Sequence, residues 1–355
     1  MRKRGLIAGV TAVAVGAAGF GLYHAATGAA GTSVRPAPAA ARSPLPSPSA
    51  SPPSALSVAL DRLTIAAMRR RTYPASTLTP VRSDGDQGGY VNSVVSFQSD
   101  GLTEYALMSV PDSRRPAAGW PVVIVNHGYI DPATYRTDDA SYAQFIAAFA
   151  RAGYLVLKPD YRGHGQSQGV AEGAHLSPVY AYDLLNLIST VAADPRMDPA
   201  RVGLYGHSMG AHEVLRAMVV SKQIRAVVVM AGVVGSMDDL FYNWPAPPVP
   251  VHPPPVQSQV EAGAVDTHGN PRDNPGFWDS ASAINYVSST TAAVQIGQDV
   301  ADSTVPRLFA DHLDTALTAA GKTVEYDLYP GDDHQFIRNR AAILARALAF
   351  LRAHL

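Results

Sequence analysis

A serine hydroxyl is a poor nucleophile until a base takes its proton and the backbone lifts it clear of its own chain. Ser208 stands in a setting suited to both. Gly206-His207-Ser208-Met209-Gly210 follows the apolar run Arg201 to Tyr205 and precedes a helical pattern from Ala211 to Val220. Strand, sharp turn and helix in that order make a nucleophile elbow, whose turn is so tight that the flanking positions take almost no side chain. The pentapeptide alone is a weak signal in a chain with 29 glycines; its place between a strand and a helix separates it from a helix-capping serine.

The serine needs a general base, and the base needs a carboxylate to orient it, in the chain order serine, acid, histidine. Downstream of Ser208 lie His212, His252, His268, His312, His334 and His354. His334 is the candidate base, because it follows the strand ending at Tyr329 through the short polar loop Pro330-Gly331-Asp332-Asp333. His212 sits in the elbow helix and is poorly aimed at the serine proton, His312 falls within a helix, and His252 and His268 fall in a long loop. Two carboxylates, Asp299 and Asp302, follow the strand Ala293 to Gly297 and remain open as the acid; Asp302 also stands where a helix N-cap would. Asp238 and Asp239, after the preceding strand, are a weaker alternative.

A developing oxyanion needs N–H donors. The Met209 N–H opens the elbow helix, where the helix dipole favours negative charge, and the Tyr129 N–H lies in the loop Asn126-His127-Gly128-Tyr129 after a buried strand. His127 reads as structural. So does Asp160-Tyr161-Arg162-Gly163-His164-Gly165-Gln166-Ser167, a glycine-rich loop in which Asp160 and Arg162 are expected to hydrogen-bond internally, since there is no second ligand cluster for a metal. This chemistry calls for no cofactor and no metal.

The elements that would position these residues alternate. Tyr90 to Gln98 and Leu102 to Val110 read as strands joined by Ser99-Asp100-Gly101, an Asp-Gly hairpin signal. From Trp120 onward short apolar strands (122–125, 154–157, 201–205, 226–230, 293–297, 323–329) alternate with helical patterns (141–151, 176–193, 211–220, 305–320, 335–355). The expected fold is a doubly wound, mostly parallel α/β sheet with an antiparallel N-terminal hairpin and a long insertion, about 233–291, after the sixth strand. That insertion carries Trp244, a proline-rich run and Trp278, and reads equally as a lid over the site or as a surface excursion. Residues 56–71 have helical spacing, and no internal repeat is present.

With 355 residues there is room for one large domain plus an extension, and a net charge of −1 excludes the basic field that nucleic acid requires. The chain has no cysteine, so thiolate chemistry and disulfides are absent. Arg2-Lys3-Arg4, the uncharged stretch 5–23 and the small residues that follow have the layout of a secretory signal or signal anchor over 1–30. Residues 31–55, rich in Pro, Ala and Ser, form a spacer, and 56–355 the catalytic domain. The expected location is extracytoplasmic, with a possible membrane tether through residues 5–23.

These motifs resemble the α/β-hydrolases, and in detail the catalytic domain of the prolyl oligopeptidase (serine peptidase S9) family, from about Tyr90 to Leu355. The resemblance is carried by Asn126-His127-Gly128, Pro159 to Gly165, Gly206 to Gly210, Asp302-Ser303-Thr304-Val305-Pro306 and Tyr329 to His334. It implies a triad of Ser208, Asp302 and His334. The stretch ahead of the domain is too short for the β-propeller of the oligopeptidases, so proline-specific action is not implied. The expected activity is that of a secreted or membrane-tethered serine hydrolase acting on a short peptide, acyl amide or small ester. The alternatives are a carboxylesterase, an acyltransferase and, since the sequence lacks no triad member, least of all a non-catalytic surface binding protein.

Overall fold

A computed structural model describes residues 62–138, 140–173, 175–245 and 255–355. The signal-like segment, the spacer and most of the proline-rich run lie outside the described residues.

The sheet has nine strands in the order β1-β2-β3-β5-β4-β6-β7-β8-β9: β1 (Thr79–Asp86), β2 (Tyr90–Ser99), β3 (Leu102–Pro111), β4 (Trp120–Asn126), β5 (Leu155–Pro159), β6 (Met197–His207), β7 (Ile224–Met230), β8 (Ala293–Asp299) and β9 (Val324–Tyr329). The first three pair antiparallel, β3 pairs antiparallel with β5, and every pairing from there to β9 is parallel. Asp100 and Gly101 turn the β2–β3 hairpin with φ of 54° and 78°, the left-handed pair that an Asp-Gly step accommodates. One strand was not expected. β1, Thr-Pro-Val-Arg-Ser-Asp-Gly-Asp, is exposed along most of its length and bulged, a charged edge with no apolar alternation to betray it.

Along the parallel strands alternate side chains serve opposite faces. Val123, Val125, Tyr205 and Val228 meet Phe145, Phe149 and Phe350 on one face, from α2 (Ala143–Arg151) and α9 (Arg340–His354). Val122, Ile124, Leu204, Val227 and Val229 meet the other layer, from α3 (Val179–Ala193), α4 (Met209–Val220) and α8 (Arg307–Ala319). A short α1 (Ile65–Arg70) joins that layer through Ile65 and Met68. Because helices cover both faces, β8 is buried at every position.

The unforeseen β1 makes β7 the strand that precedes the long β7–β8 connection, which therefore follows the seventh strand and not the sixth. Its described parts are α5 (Met237–Tyr242), α6 (Pro255–His268), α7 (Pro275–Ala281) and a 3-10 stretch, Ala283–Ser289. Ser236 and Asp239 cap α5 reciprocally. Trp278 is buried in the same core as α4 and α8, and its indole N–H donates to the Gly269 carbonyl at 3.0 Å. Much of the connection is thus part of the core. Trp278→Ala should cost about 3–5 kcal/mol of stability in urea denaturation, the range for a buried aromatic truncated to alanine; a loss near zero would show that the connection merely rests on the surface.

Candidate active site

The candidate residues gather at the carboxyl ends of β4, β6, β8 and β9, where ligands of open α/β sheets bind. Asn126 and Gly206 are register partners at the ends of β4 and β6, so the loop after each strand starts beside the other. Ser208 has φ 54° and ψ −119°, left-handed backbone that a serine adopts only when the surroundings enforce it. Its N–H donates to the Met230 carbonyl at 3.0 Å, and its carbonyl accepts from Ala211 and Val233. The glycines are steric requirements. A Cβ on Gly206 would come within 2.7 Å of the Ala211 Cα, and one on Gly210 would overlap the Asn126 carbonyl. Met209 then opens α4, whose first-turn N–H groups have no acceptor within the helix.

His334 and Asp302 come from the loops after β9 and β8. His334 Nδ1 lies 2.8 Å from Asp302 Oδ2, and the Asp302 carboxylate is fully buried. The other carboxylate oxygen accepts the Thr304 and Val305 N–H groups at 2.8 and 3.0 Å. Burial pushes the Asp302 pKa up, but these bonds and the His334 contact more than offset it and hold the carboxyl below its ordinary range. His334 Nε2 is buried and has no partner, leaving one ring nitrogen for a reacting group.

Asp299 has other work. Its oxygens accept the Ala301 N–H at 2.7 Å and the Asp332 N–H at 2.9 Å, so it fastens the loop after β8 to the loop that carries His334. Asp239 is turned to His312 at 2.9 Å, and His212 Nδ1 is held 2.9 Å from the Val233 carbonyl. The side chains of Asp160 and Arg162, expected to pair within their loop, instead reach outside it. Asp160 accepts from Tyr135 and Thr137, and Arg162 clamps Asp183 on α3 and Asp100 at the hairpin turn. Sequence spacing gives no sign of partners so far apart in the chain.

On the oxyanion side, a Cβ on Gly128 would stand 3.1 Å from the Ser208 Cβ, which brings this loop directly against the elbow. His127 Nδ1 lies 2.7 Å from the Gly128 carbonyl, and since a carbonyl only accepts, that nitrogen carries the proton. Burial, with Lys158 and His164 nearby, keeps His127 neutral. In a trans peptide the N–H points opposite to the carbonyl. The bond therefore turns the Tyr129 N–H away from the His127 ring. The Tyr129 ring joins Tyr161, Tyr180 and Met209 in a small aromatic cluster beside it.

The fold is that of the α/β-hydrolases. A family model described as serine aminopeptidase, S33, matches residues 120–258, which include the elbow and the Tyr129 loop and end before Asp302 and His334. A curated Escherichia coli relative, an uncharacterized 31.7 kDa protein in the traX-finO intergenic region, is 27% identical over 108 residues, 30% of this chain and 36% of that protein. Among solved structures, the dipeptidyl peptidase 4 of Porphyromonas gingivalis superposes with a TM-score of 0.59 at 19% identity, over 76% of this chain and 36% of that one. The acetyl xylan esterase of Paenibacillus sp. R4 superposes with a TM-score of 0.61 at 17% identity, over 82% of this chain and 92% of that one. The chain thus spans about a third of the length of the E. coli relative and of the dipeptidyl peptidase, and nearly all of the esterase.

Beneath the elbow, Glu213 on α4 is buried, and that burial pushes its pKa up to about 8 despite the nearby Arg216. An unfolded glutamate releases its proton near pH 4.5 while the folded one holds it, so the stability this group contributes is full below pH 4.5 and is lost as pH rises through about 8. Glu213→Gln should flatten that part of the profile, measured as unfolding free energy between pH 5 and 9; an unchanged slope would contradict the assignment.

Proposed function

We propose that Ser208, His334 and Asp302 form a charge-assisted triad that cleaves ester or acyl-amide bonds through an acyl-enzyme. The observation that carries this reading is the buried Asp302–His334 contact at 2.8 Å, with the remaining ring nitrogen unpartnered and the His334 loop bonded to the residue before Ser208. In the first step His334 Nε2 takes the serine proton as Oγ attacks the carbonyl carbon. Asp302 holds the ring in the tautomer protonated at Nδ1 and stabilises the imidazolium that forms. The N–H groups of Met209 and Tyr129 receive the oxyanion. His334 then returns the proton to the leaving alcohol or amine, and water repeats the sequence on the acyl-enzyme to release the acid.

Short peptides, acyl amides and small esters all fit this chemistry. The carboxylesterase reading draws support from length: the chain covers 92% of the acetyl xylan esterase but only 36% of the dipeptidyl peptidase. Comparing kcat/KM on short-chain p-nitrophenyl esters and on aminoacyl p-nitroanilides separates the two, and a strong preference for the amides would count against the esterase. The N-terminal signal-like segment supports an extracytoplasmic enzyme, secreted or tethered by residues 5–23. Fractionation of the expressing cell tests this; recovery only from the cytosol would refute it.

A fluorophosphonate probe should label the wild type stoichiometrically and leave Ser208→Ala untouched. Asp302→Asn should lower kcat on the order of 10⁴-fold without loss of fold, as expected when a triad carboxylate no longer sets the histidine tautomer. Asp299→Asn should retain far more activity than Asp302→Asn; the reverse order would exchange their roles.

A further inference from the structure

We propose that His207 and Tyr142 are positioning residues that fasten the oxyanion loop and the His334 loop to the nucleophile elbow through one directed chain of hydrogen bonds. The inference rests on the serine hydrolase reading and extends it to two side chains that do not touch the substrate.

His207 lies immediately before Ser208, with its side chain on the side of the elbow where the other loops converge. Its Nε2 is 2.8 Å from the His334 carbonyl oxygen, and its Nδ1 is 2.8 Å from the Tyr142 hydroxyl. The same hydroxyl lies 2.7 Å from the Gly128 N–H. Each direction is fixed by chemistry. The His334 carbonyl can only accept, so Nε2–H donates to it. A neutral imidazole has one N–H, so Nδ1 is an acceptor and the Tyr142 O–H donates to it. The tyrosine oxygen in turn accepts from the Gly128 N–H, which can only donate. His207 is neutral because burial, and then the nearby His334, pull its pKa down to about 3.

The chain links four separate elements. Tyr142 ends the 3-10 turn ahead of α2, Gly128 follows β4, His207 ends β6 and His334 follows β9. Both His207 and Tyr142 are buried, and the His207 and His334 rings stand 4.9 Å apart. The Gly128 N–H is consumed by Tyr142, which leaves the next N–H, that of Tyr129, for the substrate. His127 fixes the same peptide from its carbonyl end. Tyr142 therefore sets where the oxyanion donor sits, and His207 sets where the backbone of the general base sits, both relative to Ser208.

The test compares wild type, Tyr142→Phe, His207→Ala and His207→Gln, which keeps one donor and one acceptor. Each is measured for fluorophosphonate labelling, for kcat and KM on p-nitrophenyl acetate and its thionoester, for phenylboronic acid affinity and for thermal midpoint. The thionoester reports the oxyanion donors, because sulfur is a poorer acceptor than oxygen. The boronate reports the tetrahedral geometry. Tyr142→Phe should keep its KM and midpoint, lose about 10- to 100-fold in kcat, as a sub-ångström to 1 Å misplacement costs, bind the boronate more weakly and show a smaller preference for the oxoester. His207→Ala should lose more and His207→Gln should recover part of it. Unchanged kcat and boronate affinity in Tyr142→Phe would overturn the proposal while leaving the triad intact. A fall in kcat that comes with a lower midpoint and an unaltered oxoester preference would also overturn it, since that is a packing defect. A wild type that the probe does not label would instead overturn the serine hydrolase reading, and this proposal with it.

Discussion

The architecture depends on a backbone constraint: Ser208 must sit in left-handed conformation at the joint between β6 and α4. Such a conformation costs about 1–3 kcal/mol in a non-glycine residue and persists only when its neighbours determine it. Here they do. The Ser208 N–H is held by the end of β7, its carbonyl by the first turn of α4 and by the start of the β7–β8 connection, and Gly210 lets α4 press against the carbonyl that ends β4. A sheet buried on both faces supplies the rigidity, because strands fixed by packing and by ladder hydrogen bonds have no low-energy way to relax the turn.

Around that joint the protein uses histidine in two physically different ways. His127 and His207 are buried, uncharged and locked into single tautomers by carbonyl acceptors, so each behaves as a fixed dipole that orients a loop. His334 faces a buried carboxylate instead, and its second nitrogen is kept free of partners. Of these three rings only that of His334 lies within hydrogen-bond distance of a carboxylate. The contrast separates the proposed base from the two rings beside it, although all three are buried.

The described parts of the β7–β8 connection are tied both to the core and to the loop that carries Asp302. Trp278 and the helix that carries it belong to the main core, and the Trp244 indole donates to the Thr304 carbonyl in the Asp302 loop at 2.8 Å. Trp244 also packs on His175 and on Phe309 of α8. The Asp302 loop is therefore braced both by Asp299 and by an aromatic side chain that arrives from a distant part of the sequence.

The sequence by itself determined the strand–helix alternation, the Asp-Gly hairpin and the elbow with its two glycines, because each depends on contacts between neighbours in the chain. It also singled out His334 as the candidate base by loop position. It left Asp299 and Asp302 open, since both follow the same strand and nothing local tells which carboxylate turns to a histidine in the next loop. It missed β1, whose exposed polar residues carry no alternation to read. It gave no sign of the His207–Tyr142–Gly128 chain or of Arg162 reaching Asp183 and Asp100. Only the tertiary structure decided these, for one physical reason. They are pairings between residues far apart in the chain, and the energy that selects them comes from burial and from satisfying polar groups once the sheet has brought its strand ends together.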